Sequence, residues 1–541
     1  MERDLRRLAG RRFDLLVIGA GVYGAAAAWH AALAGLSVAI IDQDDFGAAT
    51  SANSLKTLHG GLRSLQSLDV RQMRLFIRER RRLAQLAPHL VRVLPFCVPT
   101  YRNPVRGRLA MRVALALNDL VSRDRNDDID DPGLHIPGGA IVSRTECLEL
   151  NPVIDPKGVT GGAVWYDYQA QNADRLTFGF IRSAVDAGAA AANYVRADGF
   201  LTADRRVTGV TAEDRLTGET LEIRARVVLN AGGPWAATLL GLLPGAPPAP
   251  APRLSRAMNL VTRRVTRAHA CGGLAGGRFL FLAPWRNVSI LGTSHDAHEA
   301  VPDALRVSRW DIEALLADAR EAFPHAGLTA ADVRLVHRGL LPMVRGEGSR
   351  VRLLRESVIV DHRRQKLGGL ISMFGVRYTT ACDTADRAID VAFAQLDRAR
   401  PAAPPAHLAG GGIANMASFL NAVYLRDVDG ISQDTLDRLA RTYGTEYDRV
   451  LQIVRDEPEL AAPLGESCPV TGAEIAYAVR SEAAVKLGDA LLRRTEAGSA
   501  GHPGSDAIER AGQIMAGALG WDEWTLRNEI GEVEAFFRQP G

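Results

Sequence analysis

Between residues 14 and 42 the apolar positions fall into three blocks. "DLLVIGAGVYG" is an unbroken apolar run that ends in glycines, "AAAAWHAALAG" is a small-residue stretch long enough for a helix, and "LSVAIID" is a second apolar run. Unbroken apolar runs belong to strands covered on both faces, and a small-residue helix can pack closely upon them, so the segment predicts a buried parallel β-α-β unit. Strand-like and helix-like stretches keep alternating to about residue 395, with no repeat of fixed period. Two Pro/Ala-rich pieces break the pattern: "PGAPPAPAP" at 244–252 reads as a surface excursion, and "RPAAPPAHLAGGG" at 400–412 as a linker. Beyond it "TLDRLARTYGTEYDRVLQIVRD", "GAEIAYAVRSEAAVKLGDALLRRT" and "DAIERAGQIMAGALG" carry helical periodicity. The expected division is 1–398 for the main region, 399–412 for the linker and 413–541 for an all-helical C-terminal domain.

A chain of 541 residues with 47% apolar content has room for more than one large core. A net charge of +3 gives no reason to expect nucleic acid as a partner. Lysine supplies only four of the 65 basic residues, a bias of composition rather than a functional signal. The five cysteines are scattered with no CxxC, which suits reduced thiols in a cytosolic protein and neither a disulfide frame nor a metal site. No signal peptide is expected, because the first apolar run is already a glycine-punctuated strand and turn. No uninterrupted apolar run is long enough to span a bilayer.

The chemistry starts at Gly19, Gly21 and Gly24, a GxGxxG between a strand and a helix. The first glycine permits the tight turn, the second lets backbone approach a pyrophosphate, and the third packs helix on strand. Asp42 ends the second strand, placed to accept from a ribose hydroxyl, which points to FAD or NAD rather than NADP. The chain then returns twice to the same sheet. "VVLNAGGPWA" at 227–236 runs into a turn at Gly232, and "LGGLISMFGVRYTTACDTADRAID" at 367–390 is a strand, a turn at Gly375 and a helix begun by Thr379 and Thr380. A helix N-terminus there can offer partial positive charge to the pyrimidine end of a flavin.

These motifs, with "SANSLKTLHGGLRSL", "WYDYQAQNADRL", "FLAPWRNVSILGTSHD" and the tail segment "GALGWDEW", resemble in order a divergent member of the FAD-dependent glycerol-3-phosphate dehydrogenase family. The resemblance implies an α/β fold: a doubly wound FAD-binding domain of the glutathione-reductase/D-amino-acid-oxidase type, a β-rich substrate domain and the helical tail. It implies that Thr50, Ser51, Ser54 and Lys56 wrap the FAD. The turn through His59, Gly60 and Gly61 would pass the flavin face, with glycine letting the backbone approach, while Arg63 points into the substrate cavity. The plainer reading of the stretch is a surface loop with a helix N-cap at Ser51 or Asn53.

The sequence departs from the family at the substrate end. The usual Gly-Gly-Lys before Thr-Thr becomes Gly375, Val376 and Arg377; a phosphate-binding arginine becomes Leu341; a histidine becomes Asn259; and a tyrosine becomes Ser64. On a regular strand Arg338 would face away from Leu341. Arg345 has the right parity but lies beyond Pro342, where a strand is not expected to continue. His337 either lines the cavity or is a packing residue. The expected reaction is hydride transfer to flavin from a small hydroxylated, anionic metabolite, glycerol 3-phosphate by default. Arg63 and Arg377 would bind the anion, and His59 would be either the base or a donor to the cofactor. The alternatives are a tailoring or amine-oxidising flavoenzyme, and a flavin-bound protein without turnover.

Partners follow from the same resemblance: quinone or another electron acceptor, a homodimer, and the inner face of the cytoplasmic membrane. "RNPVRGRLAMRVALALNDLV" at 102–121 sets arginines around an apolar run, as an interfacial helix or an ordinary surface helix would. In "RQMRLFIRERRRLAQL" at 71–86 the apolar spacing instead suits packing on the core.

Overall fold

The structure, a computed structural model, describes residues 1–243, 251–276, 278–344 and 351–538, leaving out the side chains of Arg63 and Gln66. Most of the 244–252 excursion and the whole of Arg345 therefore lie outside the described residues.

The predicted β-α-β unit forms the centre of an eight-stranded sheet. Arg12–Ile18 pairs in parallel with Val38–Ile41 on one side and with Thr220–Asn230 on the other; Ala190–Ala192 and Leu370–Phe374 extend it outward, also in parallel. The three sequence segments expected to share a sheet thus lie side by side. Leu15 and Val17 enter one core and Leu16 and Ile18 the opposite one, which is why the run is apolar without alternation. Helices Val22–Leu33, Ala173–Asp186 and Ala381–Gln395 share the first of these cores.

A second sheet of ten strands is mostly antiparallel, with the long strands Arg253–Arg263, Val288–His298 and Val333–Val344 adjacent. Its core is covered by helix Arg309–Ala322, whose Ile312, Leu315, Leu316 and Ala319 are buried. Strand Val333–Val344 runs through Pro342, contrary to the expectation of a break there. Pro342 sits opposite Leu254, and its carbonyl accepts from the N–H of Leu354, so the residue still takes part in the sheet through its acceptor.

The C-terminal region is helical from Met416–Tyr424 to Glu523–Phe537, apart from one antiparallel ribbon of Pro463–Gly465 and Cys468–Thr471. Pro463 and Pro469 exclude a continuous helix through those residues. The segment expected as a linker has no regular structure, yet it is strapped down. Leu408 is buried in the main core, its N–H donates to the Leu86 carbonyl at 3.0 Å, and Ala409 N–H donates to Ser183 Oγ at 2.8 Å. Arg494 and Arg493 bring the tail onto Asp45: burial alone would raise that carboxyl, and the two guanidinium groups hold it well below the usual range. No helix among the described residues is long and apolar enough to cross a membrane.

Candidate active site

A cavity of about 370 Å³ runs between the carboxyl edge of the parallel sheet and the strands of the second sheet. Gly19, Gly21, Asp42, Thr50, Ser51, Ser54, His59, Gly232, Gly375, Arg377 and Thr379 all line it. At the nucleotide end the glycines are required by space. A Cβ on Gly24 would lie 1.9 Å from the Gly19 carbonyl oxygen, and one on Gly19, where φ is +99°, 2.5 Å from that of Ala231. Helix Val22–Leu33 therefore starts with its N–H groups open to the cavity, and Ser51 Oγ accepts from Val22 N–H at 2.9 Å. Asp42 accepts from the N–H groups of Ala20 at 2.6 Å and Asp44 at 3.0 Å, and burial pushes its carboxyl up to about 7. A glycine turn, a helix N-terminus and a carboxylate ending the second strand suit a dinucleotide, and the cavity continues from them towards Gly375 and Thr379, so these residues fit FAD.

The loop from Thr50 to Gly61 divides its duties differently from expectation. Thr50 Oγ1 bonds the backbone of Leu340 in both directions at 3.2 Å, fastening the loop to the second sheet. Lys56 does not line the cavity. Its backbone has φ of +63°, and its buried ammonium donates to the Ala52 carbonyl, approaches Asp174 to 3.8 Å and stands over the Trp285 ring. Gly60 and Gly61 do not line it either. A Cβ on Gly60 would lie 2.1 Å from Arg80 Nη1, and one on Gly61 3.0 Å from Phe76, so both glycines make room for helix Val70–Leu86. Of the four positions whose spacing suited packing on the core, that helix buries Ile77, Leu83 and Leu86 and leaves Leu75 half-buried; Met73 and Phe76 are buried besides. Arg63 lies in the turn Leu62–Ser67, and its side chain lies outside the described residues.

The substrate end is walled by His59, Arg377, Asn259, Thr293, His295 and Leu341. The turn that carries Arg377 is pinned by Tyr23, whose hydroxyl accepts from Val376 N–H at 3.0 Å and Arg377 N–H at 2.9 Å and donates to the Arg377 carbonyl at 2.6 Å. The Arg377 guanidinium donates to the Arg355 carbonyl and lies over Phe76, which holds it at the rim. Asn259 Oδ1 accepts from the Thr293 hydroxyl at 2.7 Å, so its carbonyl side is engaged. Arg338 is exposed and turned away from this cavity, as strand parity requires. His337 is a packing residue: its Nδ1 lies 3.3 Å from the Ser54 carbonyl, and burial, reinforced by the Lys56 charge, pushes it down to about 3. Sequence reasoning missed Tyr23, Thr293 and His295. For Tyr23 a signal existed, since a bulky phenol stands inside an otherwise small-residue helix start; Thr293 and His295 meet the site only through strand pairing.

Residues 14–375 match the family model for FAD dependent oxidoreductases, and residues 404–526 match the C-terminal domain of alpha-glycerophosphate oxidase. A glycerol-3-phosphate dehydrogenase of Synechocystis is 27% identical over 99% of this chain and 98% of its own length. Glycerol-3-phosphate dehydrogenase 2 of Mycobacterium tuberculosis is 29% identical over 98% of this chain and 89% of its own. The match to the alpha-glycerophosphate oxidase of Streptococcus pneumoniae, at 31% identity, spans 64% of this chain and only 57% of the oxidase. The FAD complex of glycerol-3-phosphate dehydrogenase from Bacillus halodurans superposes with a TM-score of 0.77 at 25% identity, covering 98% of this chain and 96% of that one.

Proposed function

The chain belongs to the FAD-dependent oxidoreductase family, in its glycerol-3-phosphate dehydrogenase and oxidase branch, and on that premise we propose that it oxidises glycerol 3-phosphate to dihydroxyacetone phosphate. The observation that carries the reading is the meeting of His59 and Arg377 at the end of a cavity whose other end is a dinucleotide turn. FAD, when bound, supplies the acceptor for a hydride from the carbon that bears the hydroxyl. Arg377 offers its guanidinium to the phosphate; a charge-assisted hydrogen bond contributes about 1.5–3 kcal/mol. His59 takes the hydroxyl proton. Leu341 leaves an apolar wall where the family carries a second arginine, so phosphate recognition rests on fewer cations than the resemblance would supply.

The test is product formation. Purified protein given glycerol 3-phosphate and an artificial electron acceptor should form dihydroxyacetone phosphate, and glycerol should give little product. Equal turnover of the two would contradict the reading. A different hydroxylated or amine substrate is the second reading, favoured by Leu341 and Asn259, and a substrate panel in the same assay separates the two.

For the natural electron acceptor, supporting features point to a quinone held in lipid. Helix Arg108–Val121 exposes Leu109 at 74%, Val113 at 52%, Leu117 at 43% and Leu120 at 67%, and buries Leu115. Exposed Arg102, Arg112 and Arg123 accompany the apolar face, a combination suited to an anionic membrane surface. Liposome flotation should carry the protein upward with anionic vesicles, and L109S/L120S should abolish it. Loss of a homodimer in that variant, with no flotation in either protein, would assign the face to a second copy instead.

A further inference from the structure

We propose that Asp167 is a positioning residue: it fixes His59 through Nδ1 and leaves Nε2 to accept the proton of the substrate hydroxyl. The inference rests on the proposed glycerol 3-phosphate oxidation for its reaction and on separate geometry for its residue.

Asp167 is buried near the end of strand Val159–Ala170. Its Oδ1 accepts from Arg80 Nη1 and, at 2.7 Å, from Gly60 N–H. Arg80 is itself anchored by donating to the Tyr166 carbonyl at 3.1 Å. The remaining oxygen, Oδ2, faces His59 Nδ1 at 3.7 Å. The histidine backbone is tied on both sides, since its own N–H donates to Thr379 Oγ1 at 3.1 Å and the next N–H is the one held by Asp167. The ring is 53% exposed, on the cavity wall. One carboxylate therefore fixes the peptide that follows the histidine and presents a lone pair to the ring.

The glycine after the histidine acquires a reason independent of any cofactor. A Cβ on Gly60 would lie 2.7 Å from Asp167 Oδ1 as well as against Arg80, so only glycine lets the ion pair stand beside His59. The separation of 3.7 Å exceeds a hydrogen bond and closes with a small ring movement; catalytic hydrogen bonds are commonly long before substrate binds. Once closed, Nδ1–H donates to the carboxylate and sets the tautomer with its lone pair on Nε2. Nε2 would then take the proton as the substrate O–H bond broke and the carbonyl formed, with FAD, when bound, supplying the acceptor for the C–H electron pair. Among the described residues, Asp167 faces His59 with Arg80 paired behind it, and Arg377 and His295 line the same cavity. At His295 the Ser255 hydroxyl lies 3.5 Å from Nδ1.

The first readout is independent of activity. In FAD-loaded protein, the rate of His59 carbethoxylation at a fixed pH, followed by peptide mass spectrometry, reports how that ring is held. D167N keeps an acceptor for Gly60 and Arg80 but removes the carboxylate oxygen that faces Nδ1, so the carbethoxylation rate at His59 should change by about threefold or more. The second readout is a double-mutant cycle on the rate of flavin reduction by glycerol 3-phosphate. D167N should slow reduction by about 10²-fold in the parent and change it less than threefold in an H59Q background. An unchanged carbethoxylation rate, or equal losses in both backgrounds, would overturn the proposal and assign Asp167 a structural role alone. Should D167N fail to retain FAD, the same cycle with D167E, which keeps the charge on a longer arm, separates the same two outcomes. Parent protein that glycerol 3-phosphate cannot reduce would instead overturn the substrate reading, and the carbethoxylation result would still stand.

Discussion

The two ends of the cavity are built on different principles. The nucleotide end is made of backbone: a turn that tolerates no Cβ at Gly19 or Gly24, a helix N-terminus, and Asp42 accepting from two N–H groups. The substrate end is made of side chains from distant strands, with Asn259, Thr293, His295 and Leu341 brought together by the antiparallel pairing of 253–263, 288–298 and 333–344. Backbone geometry fixes how a constant cofactor is held, whereas side chains on a sheet can be exchanged singly without disturbing the fold. The family resemblance makes Leu341 and Asn259 such exchanges, and the strands around them pair without interruption at those positions or, at Asn259, with a single register shift beside it.

The contrast breaks most severely at Gly24. In Gly24→Val the new side chain has nowhere to go, and the purified protein should carry no flavin absorbance. Arg377→Met should leave flavin content unchanged and raise KM for glycerol 3-phosphate about tenfold to a hundredfold, read in steady-state kinetics. Leu341→Arg sharpens the comparison from the other direction. Restoring a cation to the apolar wall should lower that KM about tenfold, again with flavin content unchanged. A rise in KM would show that the wall has been rebuilt for another substrate.

The smallest expected effect concerns Asp42 in the flavin-free protein. Its carboxyl is raised from the ordinary 3.8 to about 7, so the folded chain holds that proton more tightly than the unfolded chain does. The associated stability is fully present below about pH 4 and is lost as pH rises through about 7. Asp42→Asn should therefore flatten the decline in Tm of the apoprotein between about pH 4 and pH 7, while weakening FAD binding.

The same division explains what could be read from sequence. Residues 14–42 are contiguous, and each local signal there agrees with the buried strand-turn-helix it forms. The two returns to the sheet were legible because each pairs an apolar run with a glycine turn. Lys56 was not legible, because a backbone at φ +63° accompanies an ammonium buried over the Trp285 ring. Gly60 and Gly61 were legible as places of close approach, but what approaches is Arg80 and Phe76, from a helix whose docking the sequence does not state. The ribbon at 463–471 was marked by two prolines inside an otherwise helical pattern, and the burial of Leu408 was hidden by its Pro/Ala-rich surroundings.

The central claim is that the altered substrate end still accepts the phosphate ester. The direct measurement is anaerobic mixing of the FAD-loaded protein with glycerol 3-phosphate and, separately, with glycerol, while the oxidised flavin absorbance is followed. The account predicts rapid bleaching by glycerol 3-phosphate alone. Flavin that stays oxidised with glycerol 3-phosphate yet is reduced by dithionite would contradict it, and would mean that Leu341 and Asn259 mark a site made for a different substrate.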